Sequence, residues 1–81
     1  MKIYAARYTD CYHEYSPAVI SLHISKRGAE RAIIRSKLQS QENHKDQVEW
    51  CKENDFGFDT WTEDNGTGYE RWSITEMEVE E

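Results

Sequence analysis

Residues 2–8 alternate in polarity, with Ile3, Ala5 and Arg7 on one side and Tyr4, Ala6 and Tyr8 on the other. That period of two predicts a β-strand. Residues 18–24 alternate more cleanly, Ala18, Ile20, Leu22 and Ile24 against Val19, Ser21 and His23, and predict a second strand with its even-numbered side inward. The polar and aromatic stretch 9–17 between them reads as a long connection. Ser25 is a good N-cap, so a helix is expected from Lys26 to about Gln39. Ala29, Ala32, Ile33 and Ser36 form a narrow small-residue stripe on it, while Ile34 and Leu38 lie on a different side. Two weakly apolar sides are unusual for a helix packed on one sheet; the second side is expected to meet another helix or a partner. Gly28 in the first turn costs about 1 kcal/mol relative to Ala and permits close approach to the sheet.

The polar run 40–46 is a candidate break, followed by a second helix over 45–54 with Val48 and Cys51 at i and i+3. A single rod over 26–54 would extend about 43 Å. For a chain of 81 residues two helices, or a kinked one, are expected instead. Residues 58–62 are a candidate strand, Asn65-Gly66 is a tight-turn signal, and residues 69–79 form a further strand. In that last strand Trp72 and Ile74 are out of phase with Met77 and Val79, which a bulge near Thr75 or Glu76 would reconcile. The expected fold class is α+β: an antiparallel sheet of three to four strands in ββα(α)ββ order, with one or two helices on one face. It forms a single domain spanning residues 1–81, or one domain whose acidic C-terminal end is mobile.

Composition narrows the class of protein. Eighty-one residues leave no room for a separate cofactor domain. Three Trp, five Tyr and two Phe supply enough apolar area for a small core. No run of 18 apolar residues occurs and the N-terminus lacks a signal-peptide core, so no membrane span and a cytoplasmic location are expected. The net charge of −6 conceals an asymmetry: residues 1–40 carry seven bases and three acids, residues 41–81 three bases and thirteen acids. Such a split creates a directional field for a partner, unless the halves pack together and neutralise each other.

Chemical motifs are sparse. Cys11 and His13 have a C-x-H spacing, but His23, His44 and Cys51 are scattered and no C-x-x-C exists, so no metal site is expected. The same Cys11–His13 pair is the only arrangement resembling an activated nucleophile, and it lacks any phosphate loop, Gly-rich fingerprint or pocket-forming motif around it. A non-enzymatic protein without cofactor follows. Arg27, Arg31 and Arg35 repeat at i+4 as a basic stripe, either a solvated face or a docking face. Direct nucleic-acid binding is disfavoured by the net charge. On the last strand Glu76, Glu78 and Glu80 alternate at ~6.6 Å spacing, a charge density within a factor of about two of a DNA strand. If Asp55, Asp59, Glu63, Asp64 and Glu70 converge with them beside Trp61 and the Tyr12/Tyr15 loop, the surface could occupy a basic groove on another protein. Simple solubility is the other explanation of the same charge.

The opening Lys2-Ile3-Tyr4, the run Tyr12-His13-Glu14-Tyr15-Ser16, the strand–cap–helix stretch from His23 to Glu30 and the acidic finish from Ile74 to Glu81 resemble, in style, the small acidic accessory proteins of bacteriophages and mobile elements. The resemblance implies a phage-encoded inhibitor that blocks a bacterial defence or nucleic-acid-handling complex, such as a CRISPR effector, by protein contact. The partner would be a bacterial protein or nucleoprotein complex with a basic groove. The alternative is a small-ligand or regulatory sensor using the sheet face. Exposure of Ile34 and Leu38 would point to a homodimer.

Overall fold

A computed structural model describes residues 1–10, 18–58, 60–68 and 70–80. The chain is an antiparallel α+β fold: β1 (Lys2–Thr9), β2 (Ala18–His23), one long helix α1 (Lys26–Glu53) and β3 (Arg71–Glu78). The sheet has the order β2-β1-β3, with β1 central. β1 and β3 pair without interruption from Lys2↔Glu78 to Thr9↔Arg71. The expected bulge near Thr75 is therefore absent, and Met77 simply faces away from α1 beside Ile3. The bulge lies instead on β2, where Ala6 pairs with Ser21 but Arg7 with Val19, leaving Ile20 as the extra residue.

The even side of β1 faces α1. Ala6, Ala29 and Ala32 form the buried cluster, with Tyr4, Ile33 and Ile74 packed around it. Alanines on both surfaces let helix and sheet approach closely, and among the described residues no large side chain is fully buried. The orientation expected for β2 holds before the bulge, where Ala18 and Ile20 lie on the helix side, and is reversed after it. The register Ala6↔Ser21 places Ser21, not Leu22, beside the core, and Leu22 and Ile24 are 58% and 81% exposed. Strict alternation put Leu22 with Ala18 and Ile20, but the bulge shifts the phase, and the side that α1 covers is set by the pairing with β1.

Ser25 caps α1 as expected, its Oγ accepting from Gly28 N at 3.1 Å. A Cβ on Gly28 would lie 3.0 Å from His23 Nδ1, so the glycine does permit the close approach. The expected break at 40–46 does not occur; α1 is one helix of 28 residues. The polar stretch contains neither Gly nor Pro, includes the helix formers Gln41, Glu42 and Lys45, and gains an i,i+4 bond from Gln39 Nε2 to Asn43 Oδ1 at 3.0 Å. The length objection is met by projection, since the molecule measures 56 × 24 × 15 Å. The helix ends in a Schellman-type cap. Asp55 takes a left-handed φ of 58°, Phe56 N donates to Cys51 O at 2.9 Å, and the Phe56 ring stacks on Trp50 with centroids 5.4 Å apart.

Residues 54–70 return along the projecting half of α1. The expected strand at 58–62 is missing among the described residues; Thr62 and Gly66 form one isolated bridge. Facing only α1, this segment has no sheet edge to join. Among the described residues no helix is long and apolar enough to cross a membrane.

The cap yields a prediction. Asp55 occupies a position where glycine is unstrained, and its carboxylate makes no contact that the cap needs. Asp55→Gly is expected to stabilise the protein by roughly 0.5–1 kcal/mol, raising the thermal midpoint by a few degrees in calorimetry.

Candidate functional site

The acidic residues singled out in the sequence occupy separate parts of the molecule. Glu76 and Glu78 lie at the end of the sheet where α1 begins. There Lys2 Nζ approaches Glu76 Oε1 at 3.0 Å and the terminal amino group approaches Glu78 Oε1 at 3.2 Å. The hydrogen bond and charge of Glu76 raise the Lys2 pKa above its ordinary value. Glu80 follows, exposed. Asp55 sits at the opposite tip, beyond a helix about 42 Å long. Glu63 and Asp64 are exposed in the turn closed by the Thr62–Gly66 bridge. Asp59, Tyr12 and Tyr15 lie outside the described residues, as do Cys11 and His13. The described acids thus do not converge on one face. Nor are they cancelled by the basic stripe: among the described residues no ion pair joins Arg27, Arg31 or Arg35 to an acid.

Glu70 is a different kind of residue from the other acids. Its carboxylate points inward and accepts hydrogen bonds from Tyr8 OH at 2.9 Å, Ser40 Oγ at 2.8 and 2.9 Å, and Thr67 Oγ1 at 3.3 Å. Ser40 Oγ in turn accepts from Trp61 Nε1 at 3.0 Å. The result is a relay, Trp61 to Ser40 to Glu70, that fastens the returning segment to the middle of α1. A neighbouring bond, Trp72 Nε1 to Ser36 Oγ at 2.9 Å, fastens β3 one helical turn earlier. Gly66 is needed beside this relay: its φ is +54°, and a Cβ there would sit 2.7 Å from Glu70 Oε1.

Held by that relay, Trp61 lies on the flank of α1 together with Ile34 and Leu38, which are 56% and 58% exposed. Two connected depressions run along this flank. One is lined by Ile34, Lys37, Leu38, Gln41, Trp61 and Glu63; the other, of about 480 Å³, adds Glu42, His44, Lys45 and Val48. His44 Nδ1 is buried here without a hydrogen-bond partner. Lys37 lines the groove as well, its Nζ 5.5 Å from the centroid of the Trp72 ring. Glu42 and Glu63 thus stand beside Lys37 and Lys45 along the groove. Of the residues expected at an interface, the structure brings Trp61 and Glu63 together on this flank, and Asp64 follows in the exposed turn. It adds Ile34 and Leu38, whose separate side was visible in the sequence. Gln41, His44 and Val48 were missed because their spacing continues that of Ile34 and Leu38 only if the helix runs unbroken.

A second cleft, of about 500 Å³, opens on the other flank of α1 between Arg35, Gln39 and Asn43 and the side chains of Tyr8, Ile20 and Glu70. Among the described residues no cluster of His, Cys, Asp or Glu is arranged to hold a metal, and Cys51 is a buried free thiol. No family model matches the chain, and no curated protein or solved structure matches it.

Glu70→Ala is expected to destabilise the fold by about 1–3 kcal/mol, because it removes an acceptor from three part-buried hydroxyls. In denaturant titrations Tyr8→Phe should then cost less in the Glu70→Ala background than in the wild type, the mark of a shared network. Gly66→Ala should also destabilise, by more than 1 kcal/mol, through its left-handed φ and the contact with Glu70.

Proposed function

We propose that the protein is a non-enzymatic binding protein that docks through the α1 flank around Trp61 onto a bacterial protein or nucleoprotein complex. The occupant is a segment that is both apolar and cationic. One observation carries this proposal: Ile34 and Leu38 stand more than half exposed beside Trp61, and Glu63 lines the same depression. Burying two aliphatic side chains and an indole supplies affinity, and the exposed Glu63 and Asp64 that follow Trp61 in the turn favour a cation on the partner. The style shared with phage accessory proteins makes defence complexes, CRISPR effectors among them, the first partners to test, and places the action in the bacterial cytoplasm. A mimic of DNA built on Glu76, Glu78 and Glu80 has less support, since two of those carboxylates already face the chain's own cations. The second cleft, with Arg35 and Glu70 on its walls, supports the small-ligand sensor as the alternative.

Binding to purified defence complexes, followed by interferometry at low and high salt, tests the proposal. Leu38→Asp should weaken binding at least tenfold with the fold unchanged, because Leu38 is exposed. Glu63→Lys with Asp64→Lys should slow association and flatten its salt dependence. The pair Glu76→Lys and Glu78→Lys should bind as the wild type. If instead that last pair abolishes binding and Leu38→Asp does not, the docking surface is the acidic strand end. Stabilisation by one member of a metabolite panel, lost in Arg35→Ala, would favour the sensor.

A further inference from the structure

The chain exposes more surface than its mass requires. A folded monomer of 9.6 kDa is expected to expose about 5,100 Å², against 6360 Å² observed. The radius of gyration is 15.2 Å, against about 11.7 Å for a compact chain of this length. The excess, about 1,300 Å² per chain, exceeds the ~800 Å² that each partner contributes to a standard interface. Part of it belongs to the projecting helix. The rest includes β2, which has the character of an interior strand at a sheet edge.

β2 reads Ala-Val-Ile-Ser-Leu-His. It contains no Lys, Arg, Asp, Glu or Pro, the residues that ordinarily protect an exposed edge. β3, the other edge, carries Arg71, Glu76 and Glu78. Val19, Ile20 and Leu22 are 49%, 40% and 58% exposed.

We propose that β2 is a self-association edge: two copies of the chain pair their β2 strands antiparallel across a two-fold axis, joining the two sheets into one of six strands. A second copy, rather than a foreign strand, is favoured by the order of sides along β2. Through the bulge, Ala18, Ile20, Ser21 and His23 lie on the helix side, and Val19 and Leu22 on the side away from α1. That order is the same read from either end. In the register that sets Val19 against the partner's Leu22 and Ile20 against the partner's Ser21, every cross-strand pair shares a side, and the two bulges meet. A slip by one residue would break this match. Charge agrees: two chains of net charge −6 repel, and they would meet at their uncharged edge, with Glu76 and Glu78 on the far edge of each sheet.

Sedimentation velocity at micromolar concentration reads the outcome directly. The wild type should sediment as a species of twice 9.6 kDa. Val19→Lys should raise the dimer dissociation constant at least tenfold, with circular dichroism unchanged. Amide exchange gives a readout independent of any variant: the β2 amides directed away from β1 should exchange slowly in the wild type. Leu38→Asp, on the α1 flank, should leave the dimer intact, which separates this surface from the proposed docking groove. A wild type that sediments as a single chain, β2 amides that all exchange fast where they point away from β1, or release of monomer by Leu38→Asp rather than Val19→Lys would each overturn the assignment.

Discussion

The carboxylate of Glu70 is the point at which sheet, helix and returning segment are joined. Tyr8 of β1 and Ser40 of α1 donate to it from two elements, and Thr67 from the third. In most small domains such a junction would be made by large apolar side chains. Here the buried apolar side chains among the described residues are Ala5, Ala6, Ala29, Ala32 and Cys51, which contribute little apolar area each. Specific polar contacts therefore set how α1 lies on the sheet. Ser36 with Trp72 and Ser40 with Glu70 are one helical turn apart, so together they fix both the direction and the rotation of the helix. A network of this kind is stabilising only while every member is satisfied, which gives one acid a structural weight out of proportion to its size.

From that junction the rest of the shape follows. The sheet ends near Ser40, but the helix continues for 13 residues, about 20 Å. The chain must travel back over the same distance before β3 can begin. Residues 54–62 do so along the helix, with Lys52 over the Phe58 ring at 5.8 Å and Trp61 bound to Ser40. The groove beside Ile34 and Leu38 is thus a consequence of the return path. Trp61 is positioned there by the hydrogen-bonded relay, while the aliphatic residues face outward because the small-residue stripe has taken the sheet.

Those features differ in how far the amino-acid order revealed them. The first two strands, the Ser25 cap, the role of Gly28 and the two sides of α1 are local properties, and each was legible from spacing. The continuity of α1 was obscured by a length argument that assumed compactness. The polar residues 40–46 look like a break only if a helix must be covered on every turn. The inner side of β2 was not legible, because alternation is symmetric and the choice is made by register with β1. Glu70 resembled its acidic neighbours in the sequence. Its inward direction depends on Tyr8 and Ser40, which stand 62 and 30 residues away. The fold class was therefore readable, whereas the grouping of the acids was not.

Charge and apolar surface are separated in a way that bears on how the molecule works. The acids at the end of β3 are held near Lys2 and the terminal amino group, so they give solubility and edge protection more readily than they give a contact surface. The apolar side chains that a larger core would have covered are found on the α1 flank, on β2 and at the Trp50–Phe56 tip. A chain of this length whose described buried side chains are small has a thin margin of stability, and each association that covers the exposed apolar residues adds to it by mass action. Binding and folding are then coupled. Variants on the α1 flank would shift apparent stability chiefly when a partner is present. Variants of the Glu70 junction would shift it at every concentration, and that contrast separates the surface that meets other molecules from the contacts that hold this one together.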